Sequence, residues 1–207
     1  MTALREPWRS LRRQREGVAL GMWAFLGSEA MLFSALILAL IAGRYLHGAA
    51  FAAASRETDI VYGTANTAIL LTSSLTMAIA AEAAEAKLRR LALWGLAATL
   101  ALGLGFLALK GLEWAEDIER HLWPGVGFAL EAPASRLFFA LYWIMTALHA
   151  VHVLAGLCLI AVMMVRLARR PATLESPALE ATALYWHLVD CVWIFLFPLL
   201  YLGGRAG

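Results

Sequence analysis

The sequence contains little charge. Only 15% of its 207 residues are Asp, Glu, Lys or Arg, and 62% are hydrophobic. A water-soluble domain averages about 25% charged and about 45–50% apolar residues. The apolar residues also fall into long runs, and the mean hydropathy is +0.72. The composition therefore excludes an ordinary soluble domain and predicts an integral membrane protein with a single helical domain.

Cysteines and basic clusters are also scarce. Cys158 and Cys191 lie inside apolar runs, so we interpret them as small packing residues that do not indicate a redox compartment. The formal net charge is +2 and the basic residues are dispersed, so nucleic acid is not an expected partner. The arginine-rich residues 1–17 lack a small-residue cleavage site after a short apolar core. We expect them to form a retained cytoplasmic flank rather than a signal peptide.

Five apolar stretches are long enough to cross a membrane, since about 20 helical residues span about 30 Å of hydrocarbon. We treat residues 1–207 as one membrane domain, with spans near 18–42, 64–84, 91–110, 136–165 and 182–203. The sequence thus predicts an all-α bundle of five transmembrane helices.

The distribution of basic residues predicts the orientation of this bundle. Of the 17 Lys and Arg residues, eleven lie in the N-terminal flank and in the connectors after spans two and four. The other six lie on the opposite side. Because cytoplasmic loops carry the excess of Lys and Arg, we expect a cytoplasmic N-terminus and an external C-terminus.

Glu29 is the most unusual polar residue in these spans. It lies near the middle of "MWAFLGSEAMLFSALIL", with no basic residue within one helical turn. A charge at the bilayer centre costs at least about 3 kcal/mol on insertion scales. Glu29 is therefore either a proton-linked or partner-contacting group, or a neutral acid hydrogen-bonded to a neighbouring helix.

Two pairs of polar residues with i, i+3 spacing lie in the fourth and fifth spans. His149 and His152 share one helix face, but a metal site needs three or four protein ligands and no third is supplied locally. We therefore predict no metal site and expect both histidines to be hydrogen-bonded within a polar seam. His187 and Asp190 repeat this spacing, so they can bond to each other or together to another helix.

Other polar positions are less specific. Asn66 belongs to a mildly polar stripe on span two, and such groups join helices at roughly 0.6–2 kcal/mol each. Glu113 and Glu116 share a face at the outer end of span three, where a solvated surface is the default interpretation. No serine or cysteine is paired in sequence with a base, so we predict no catalytic residue. These features suit either a transporter or an accessory subunit.

Five motifs lie in the same order here as in a known family and cover residues from about 17 to 204. They are "FLGSEAMLFSALILAL", "NTAILLTSSLTMAIA", "LALKGLEWAED", "FFALYWIMTALHAVHVLAGL" and "YWHLVDCVWIFLFPLLYLGG". Together they resemble subunit III of the heme–copper terminal oxidases, which comprise cytochrome c oxidases and their quinol-oxidase relatives. The chain is similar to the short, five-helix form found in several bacterial oxidases.

The resemblance implies a non-catalytic core subunit of a proton-pumping enzyme that reduces O2 to water in the bacterial inner membrane. Heme and copper would then reside in partner subunits, with no cofactor except phospholipid expected in this chain. Subunit I is the expected direct partner, and subunit II and a small subunit IV are further candidates. The expected roles are stabilisation of subunit I, lipid binding, and support of proton uptake and of O2 access.

The resemblance also assigns residues to these roles. Those expected to bind lipid or to contact subunit I are Glu29, Arg166, His149, His152 and Trp186. Those expected in a structural polar seam are His187, Asp190, Asn66 and Glu113. Arg166 matches a family arginine that contacts lipid phosphate, although simple anchoring at the cytoplasmic surface explains it equally well. Longer members carry two additional helices that open a lipid-filled cleft, so only the wall formed by the shared helices is expected here.

Two alternatives remain open. Related five-helix proteins accompany nitric oxide reductases, and the ending "FPLLYL" would suit them too. A stand-alone proton-coupled transporter using Glu29 and Asp190 is the second alternative. The absence of an inverted repeat and of a span broken in mid-membrane by Gly or Pro is evidence against it.

Overall fold

The computed structural model describes residues 11–169 and 177–205, and within them every regular element is helical. The elements in chain order are α1 (Leu11–Leu46), α2 (Gly48–Glu57), α3 (Ile60–Glu85), α4 (Arg89–Glu119), α5 (Pro133–Arg169) and α6 (Pro177–Phe197). A π-helical turn, Pro198–Leu202, continues α6. The predicted all-α class is confirmed.

Five of these segments are long and apolar enough to cross a membrane. They are Glu16–Leu46, Ile60–Glu85, Arg89–Glu119, Pro133–Arg169 and Pro177–Leu202. The prediction of five transmembrane helices is therefore confirmed. The segments have 26 to 37 residues, more than the roughly 20 needed, so they tilt in the bilayer or project beyond it.

Helix α2, a ten-residue helix between the first two spans, was not predicted from the sequence. It is too short to be stable alone, so its packing against the rest of the chain determines its structure. Phe51 is completely buried. Arg56 donates to the Gly204 carbonyl (2.7 Å), and Arg205 donates back to the Thr58 carbonyl (2.7 Å). These hydrogen bonds join the C-terminal end of α2 to residues 204 and 205.

Helices α3 and α4 form a tight antiparallel hairpin. The turn contains Lys87 in the left-handed region at φ 60°. Gly95 lies so close to α3 that an added Cβ would be 2.8 Å from the Ala80 Cβ. The hydroxyl groups of Thr76 and Thr99 are hydrogen-bonded at 2.8 Å. Small residues at four-residue spacing on α4 thus permit the close helix approach that this spacing favours.

Helix α6 packs against α1, α3 and α5. Its two large indoles, Trp186 and Trp193, are almost completely buried. The Trp186 Nε1 donates to Ser73 on α3 (3.1 Å), and the Trp193 Nε1 donates to Thr67 on the same helix (3.0 Å). The buried face of α6 thus turns both indole N–H groups toward α3.

Candidate functional site

Glu29 on α1 contacts His152 on α5. The Glu29 Oε2 and the His152 Nε2 are 2.8 Å apart, and the His152 Nδ1 lies 2.7 Å from the Leu148 carbonyl oxygen. A carbonyl only accepts, so the Nδ1 carries a hydrogen. The Nε2–Oε2 contact therefore contains one shared proton, either on a neutral Glu29 or on a charged His152.

This Glu29–His152 pair lies at the edge of the bundle. Its side chains are 16% and 14% exposed. The Phe33 ring packs edge-on against His152, with the ring centroids 5.4 Å apart, and the Tyr185 hydroxyl donates to the His152 carbonyl at 3.0 Å. Phe33 and Tyr185 thus hold His152 in place from within the bundle, while part of the Glu29–His152 pair remains exposed at the bundle surface.

His149 points into the bundle instead. It is 1% exposed, and its ring lies 5.1 Å from Trp193 and 5.5 Å from Phe106, measured between centroids. Neither ring nitrogen has a hydrogen-bond partner among the described residues. Positions i and i+3 of an α-helix point in directions that differ by about 60° around the helix axis. This difference is enough to place His149 in the interior and His152 at the edge.

Trp186 is also enclosed by this chain. Its ring fills the space beside Gly103 and Gly156, where an added Cβ would lie 2.8 Å from an indole carbon in each case. A completely buried side chain touches neither lipid nor another subunit. The expected contact role is therefore corrected for Trp186 and for His149, because helix packing places both in the interior.

His187 and Asp190 are turned toward α3 and show no hydrogen bond to each other. The His187 Nδ1 and the Ser74 Oγ are 2.8 Å apart. Asp190 is 3% exposed, and neither of its carboxyl oxygens has a hydrogen bond of acceptable geometry among the described residues. Asn66 is equally buried, and its amide has no such partner either.

Arg166 lies on the exposed surface of α5, three residues before the helix ends at Arg169. At the same end, Arg89 from α4 donates to the Leu167 carbonyl (3.1 Å) and to the Ala168 carbonyl (2.6 Å). Arg166 is thus placed at a helix end beside the α3–α4 turn. Its contact with a lipid phosphate stays a prediction.

Glu113 is almost completely buried, and a solvated surface is the wrong interpretation for it. Its Oε2 is 3.0 Å from the Lys110 Nζ. Glu116 alone is at the surface, where it accepts a hydrogen bond from Tyr62 (2.6 Å). The predicted third span ends at Lys110, whereas α4 continues to Glu119 and carries Glu113 into the bundle.

Five buried residues form what we call the Lys110 cluster: Lys110, Glu113, Asp117, Tyr142 and Tyr201. The Lys110 Nζ lies 3.1 Å from the Tyr142 oxygen and 2.7 Å from the Tyr201 oxygen. The Tyr142 oxygen is 2.8 Å from both the Glu113 Oε1 and the Asp117 Oδ2, and the Tyr201 hydroxyl is 2.6 Å from the same Glu113 oxygen. The cluster joins α4, α5 and the π-helical turn.

Four of these five residues were not predicted as site residues. The one available signal was their spacing, since Lys110, Glu113 and Asp117 lie at i, i+3 and i+7 and so share one face of α4. The tyrosines come from distant parts of the chain. Lys110 is one of the six basic residues assigned to the external side, and it lies in the bundle interior rather than at the surface.

The fold defines an all-α, multi-pass integral membrane protein. Among residues 11–169 and 177–205, no group of three His, Cys, Asp or Glu side chains is arranged to hold a metal ion. Residues 11–205 match the model of the family described as cytochrome c oxidase subunit III.

Curated relatives agree with this match. The cytochrome c oxidase subunit 3 of Bacillus subtilis (strain 168) is 33% identical over 190 residues, which cover 91% of this chain and 87% of the relative. That of Bacillus sp. (strain PS3) is 32% identical over 204 residues, covering 97% and 93%. The quinol oxidase subunit 3 of B. subtilis (strain 168) is 32% identical over 196 residues, covering 91% and 88%.

The chain belongs to the cytochrome c oxidase subunit III family. The resemblance of the five motifs is therefore confirmed. Membership makes this chain a subunit of a heme–copper oxidase, in a complex with other oxidase subunits. Relatives named for both cytochrome c and quinol oxidases are similar to it to nearly the same degree.

Proposed function

We propose that this chain is a non-catalytic core subunit of a bacterial terminal oxidase that reduces O2 to water and pumps protons. It lies in the inner membrane and packs directly against subunit I. The hemes and copper are held by partner subunits, as the family resemblance implies. This chain's own task is to stabilise subunit I, and to support proton uptake and O2 access there.

The observation that carries this proposal is the exposed side of the Glu29–His152 pair. Glu29 is about 20 Å or more from both ends of the apolar segment Glu16–Leu46, at 1.5 Å per residue. Glu29 thus lies near the middle of an apolar span, where an ionisable group facing acyl chains is costly. A protein surface covers the pair at lower cost, and subunit I is the partner that the family resemblance implies.

The test is Glu29→Gln in the intact complex, with Glu116→Gln as a matched control on the solvent-exposed surface. We expect Glu29→Gln to weaken retention of this chain by subunit I and to accelerate inactivation during turnover. Glu116→Gln should change neither. If both variants behave like the wild type in subunit retention, inactivation and proton uptake, the Glu29–His152 pair has no contact role.

Purification through this chain tests the identity of the complex. We expect the purified complex to contain heme and copper and to reduce O2. Proton-coupled transport by the isolated chain in liposomes, without a heme subunit, would instead support a transporter. A complex that reduces nitric oxide but not O2 would support the reductase alternative.

We also propose that Arg166 binds the phosphate of a phospholipid at the cytoplasmic surface. Its exposure near the C-terminal end of α5 supports this, as do the other basic residues on the same side. Arg166→Gln should reduce the phospholipid that co-purifies with the complex. An unchanged lipid content would leave Arg166 as an anchoring residue.

The same basic residues support a cytoplasmic N-terminus and an external C-terminus. An alkaline phosphatase fusion at Gly207 should be active, because that enzyme folds only outside the cytoplasm. An inactive phosphatase together with an active cytoplasmic reporter at the same position would reverse the orientation.

A further inference from the structure

The Lys110 cluster contains more short polar contacts than hydrogens able to form them, if Lys110 is charged and both carboxyl groups are ionised. Six contacts join its members. Three are from the Lys110 Nζ, to the Glu113 Oε2 (3.0 Å), the Tyr142 oxygen (3.1 Å) and the Tyr201 oxygen (2.7 Å). The other three join Tyr201 to Glu113 (2.6 Å), Tyr142 to Glu113 (2.8 Å) and Tyr142 to Asp117 (2.8 Å).

Each contact needs one hydrogen between its two atoms. A charged lysine supplies three hydrogens and the two tyrosine hydroxyls supply one each, which makes five. The single Tyr142 hydrogen serves only one of its two carboxylate neighbours. The sixth contact therefore requires a hydrogen on a carboxyl group.

The charge of the cluster gives the same answer independently. With both carboxyl groups ionised, one lysine faces two carboxylates and the cluster has a net charge of −1. All five residues are at most 2% exposed, so this charge would be buried without compensation, which is costly. If one carboxyl group carries an additional proton, the charged lysine faces one carboxylate and the net charge of the cluster is zero.

Neighbouring cations compensate this charge only weakly, because they are exposed to solvent and bonded elsewhere. Arg120, one turn beyond Asp117, is half exposed and is bonded to Glu57 at 2.7 Å. Glu116 is at the surface with Tyr62 from α3. From α5, His149 faces the cluster with its ring nitrogens unpartnered among the described residues.

We propose that the Lys110 cluster is a proton-binding site, in which Asp117 and Glu113 share one additional proton through the Tyr142 hydroxyl. The cluster is therefore neutral within the membrane. Nothing in this assignment depends on the oxidase reaction or on the contact with subunit I.

Neutrality predicts how many neutral carboxyl groups each variant contains. The wild-type cluster has one, because two carboxyl groups face one lysine. Asp117→Asn and Glu113→Gln have none, because the remaining carboxylate balances Lys110. Lys110→Met has two, because no cation remains.

The experiment is infrared spectroscopy of the purified complex, with difference spectra taken against the wild type in the carbonyl region of neutral carboxylic acids. We expect Asp117→Asn and Glu113→Gln each to lose one carboxyl band that shifts in D2O, and Lys110→Met to gain one. Glu116→Gln, a carboxyl change beside Asp117 on the exposed surface, should alter nothing in this region.

The proposal fails if Asp117→Asn and Glu113→Gln both retain the full wild-type intensity. In that case both carboxyl groups are ionised, and one Tyr142 contact is not a hydrogen bond. Asp117→Asn is the variant best suited to fold, because its amide donates to the Tyr142 oxygen as a neutral carboxyl would. The test therefore stands even if Lys110→Met does not assemble.

Discussion

Two acidic sites lie within the transmembrane helices, and they differ in exposure and in the number of their contacts. Glu29 at the bundle edge has one hydrogen bond to a histidine, and both side chains are about one-seventh exposed. Glu113 in the interior has short polar contacts with Lys110 and with two tyrosines. The edge site is incomplete within this chain, whereas the interior site is satisfied by it.

This difference indicates what each site does. An interior polar cluster with many contacts holds particular helices together, since removing one member leaves the others unpartnered. An edge pair holds two helices together and also presents a polar group to whatever covers it. We therefore expect interior variants to change the stability of this chain, and edge variants mainly to change its association.

Lys110→Met should have the largest effect on stability. It removes the one cation of the cluster, so both buried carboxyl groups must be protonated and the two tyrosine oxygens lose a donor. Breaking a buried ion pair costs about 3–5 kcal/mol. We expect a clear decrease in the thermal unfolding temperature of the complex. A melting temperature equal to that of the wild type would show that the interior site does not contribute to stability.

Tyr201→Phe should have the next largest effect. It leaves a Lys110 hydrogen and one Glu113 acceptor position without a partner, at a cost of about 1–3 kcal/mol. Thermal unfolding of the complex measures this change. Tyr45→Phe is the matched control, because Tyr45 is 89% exposed, and it should be neutral. Equal losses in both variants would contradict the distinction between core and surface.

Glu29→Gln should have a small effect on the stability of this chain, about 1 kcal/mol, because the amide still bonds to His152. The larger effect is expected on retention of the chain by subunit I during detergent titration. A loss of stability as large as that of Lys110→Met would remove the contrast between the two sites.

Glu116→Gln should have the smallest effect. Its carboxylate accepts an exposed hydrogen bond from Tyr62, and surface changes of this kind are usually within about 0.5 kcal/mol. Thermal unfolding and subunit retention should both match the wild type. A marked loss would mean that this outer surface is covered by another subunit.

Much of the helical architecture was predictable from the sequence, but the side chains that contact one another within it were not. Long apolar runs predict the five spans directly, and the isolation of Glu29 in one such run marks it as unusual. Its partner His152 is 123 residues away, so no local pattern identifies the pair. Likewise Tyr142 and Tyr201 reach the Lys110 cluster from separate helices, and the ten-residue α2 forms only against the rest of the chain.

Composition and hydrophobic run length by themselves established the five membrane-spanning helices, because transfer into lipid acts on each segment separately. The order of the motifs established the resemblance to the family. Only the tertiary structure decided which polar side chains face inward. Helix rotation and close packing at glycines set that outcome, and they placed Trp186 and His149 in the core, left Glu29 at the edge, and enclosed Lys110 with two carboxyl groups. The burial of a charge depends on its neighbours in space, and these come together only when the helices pack.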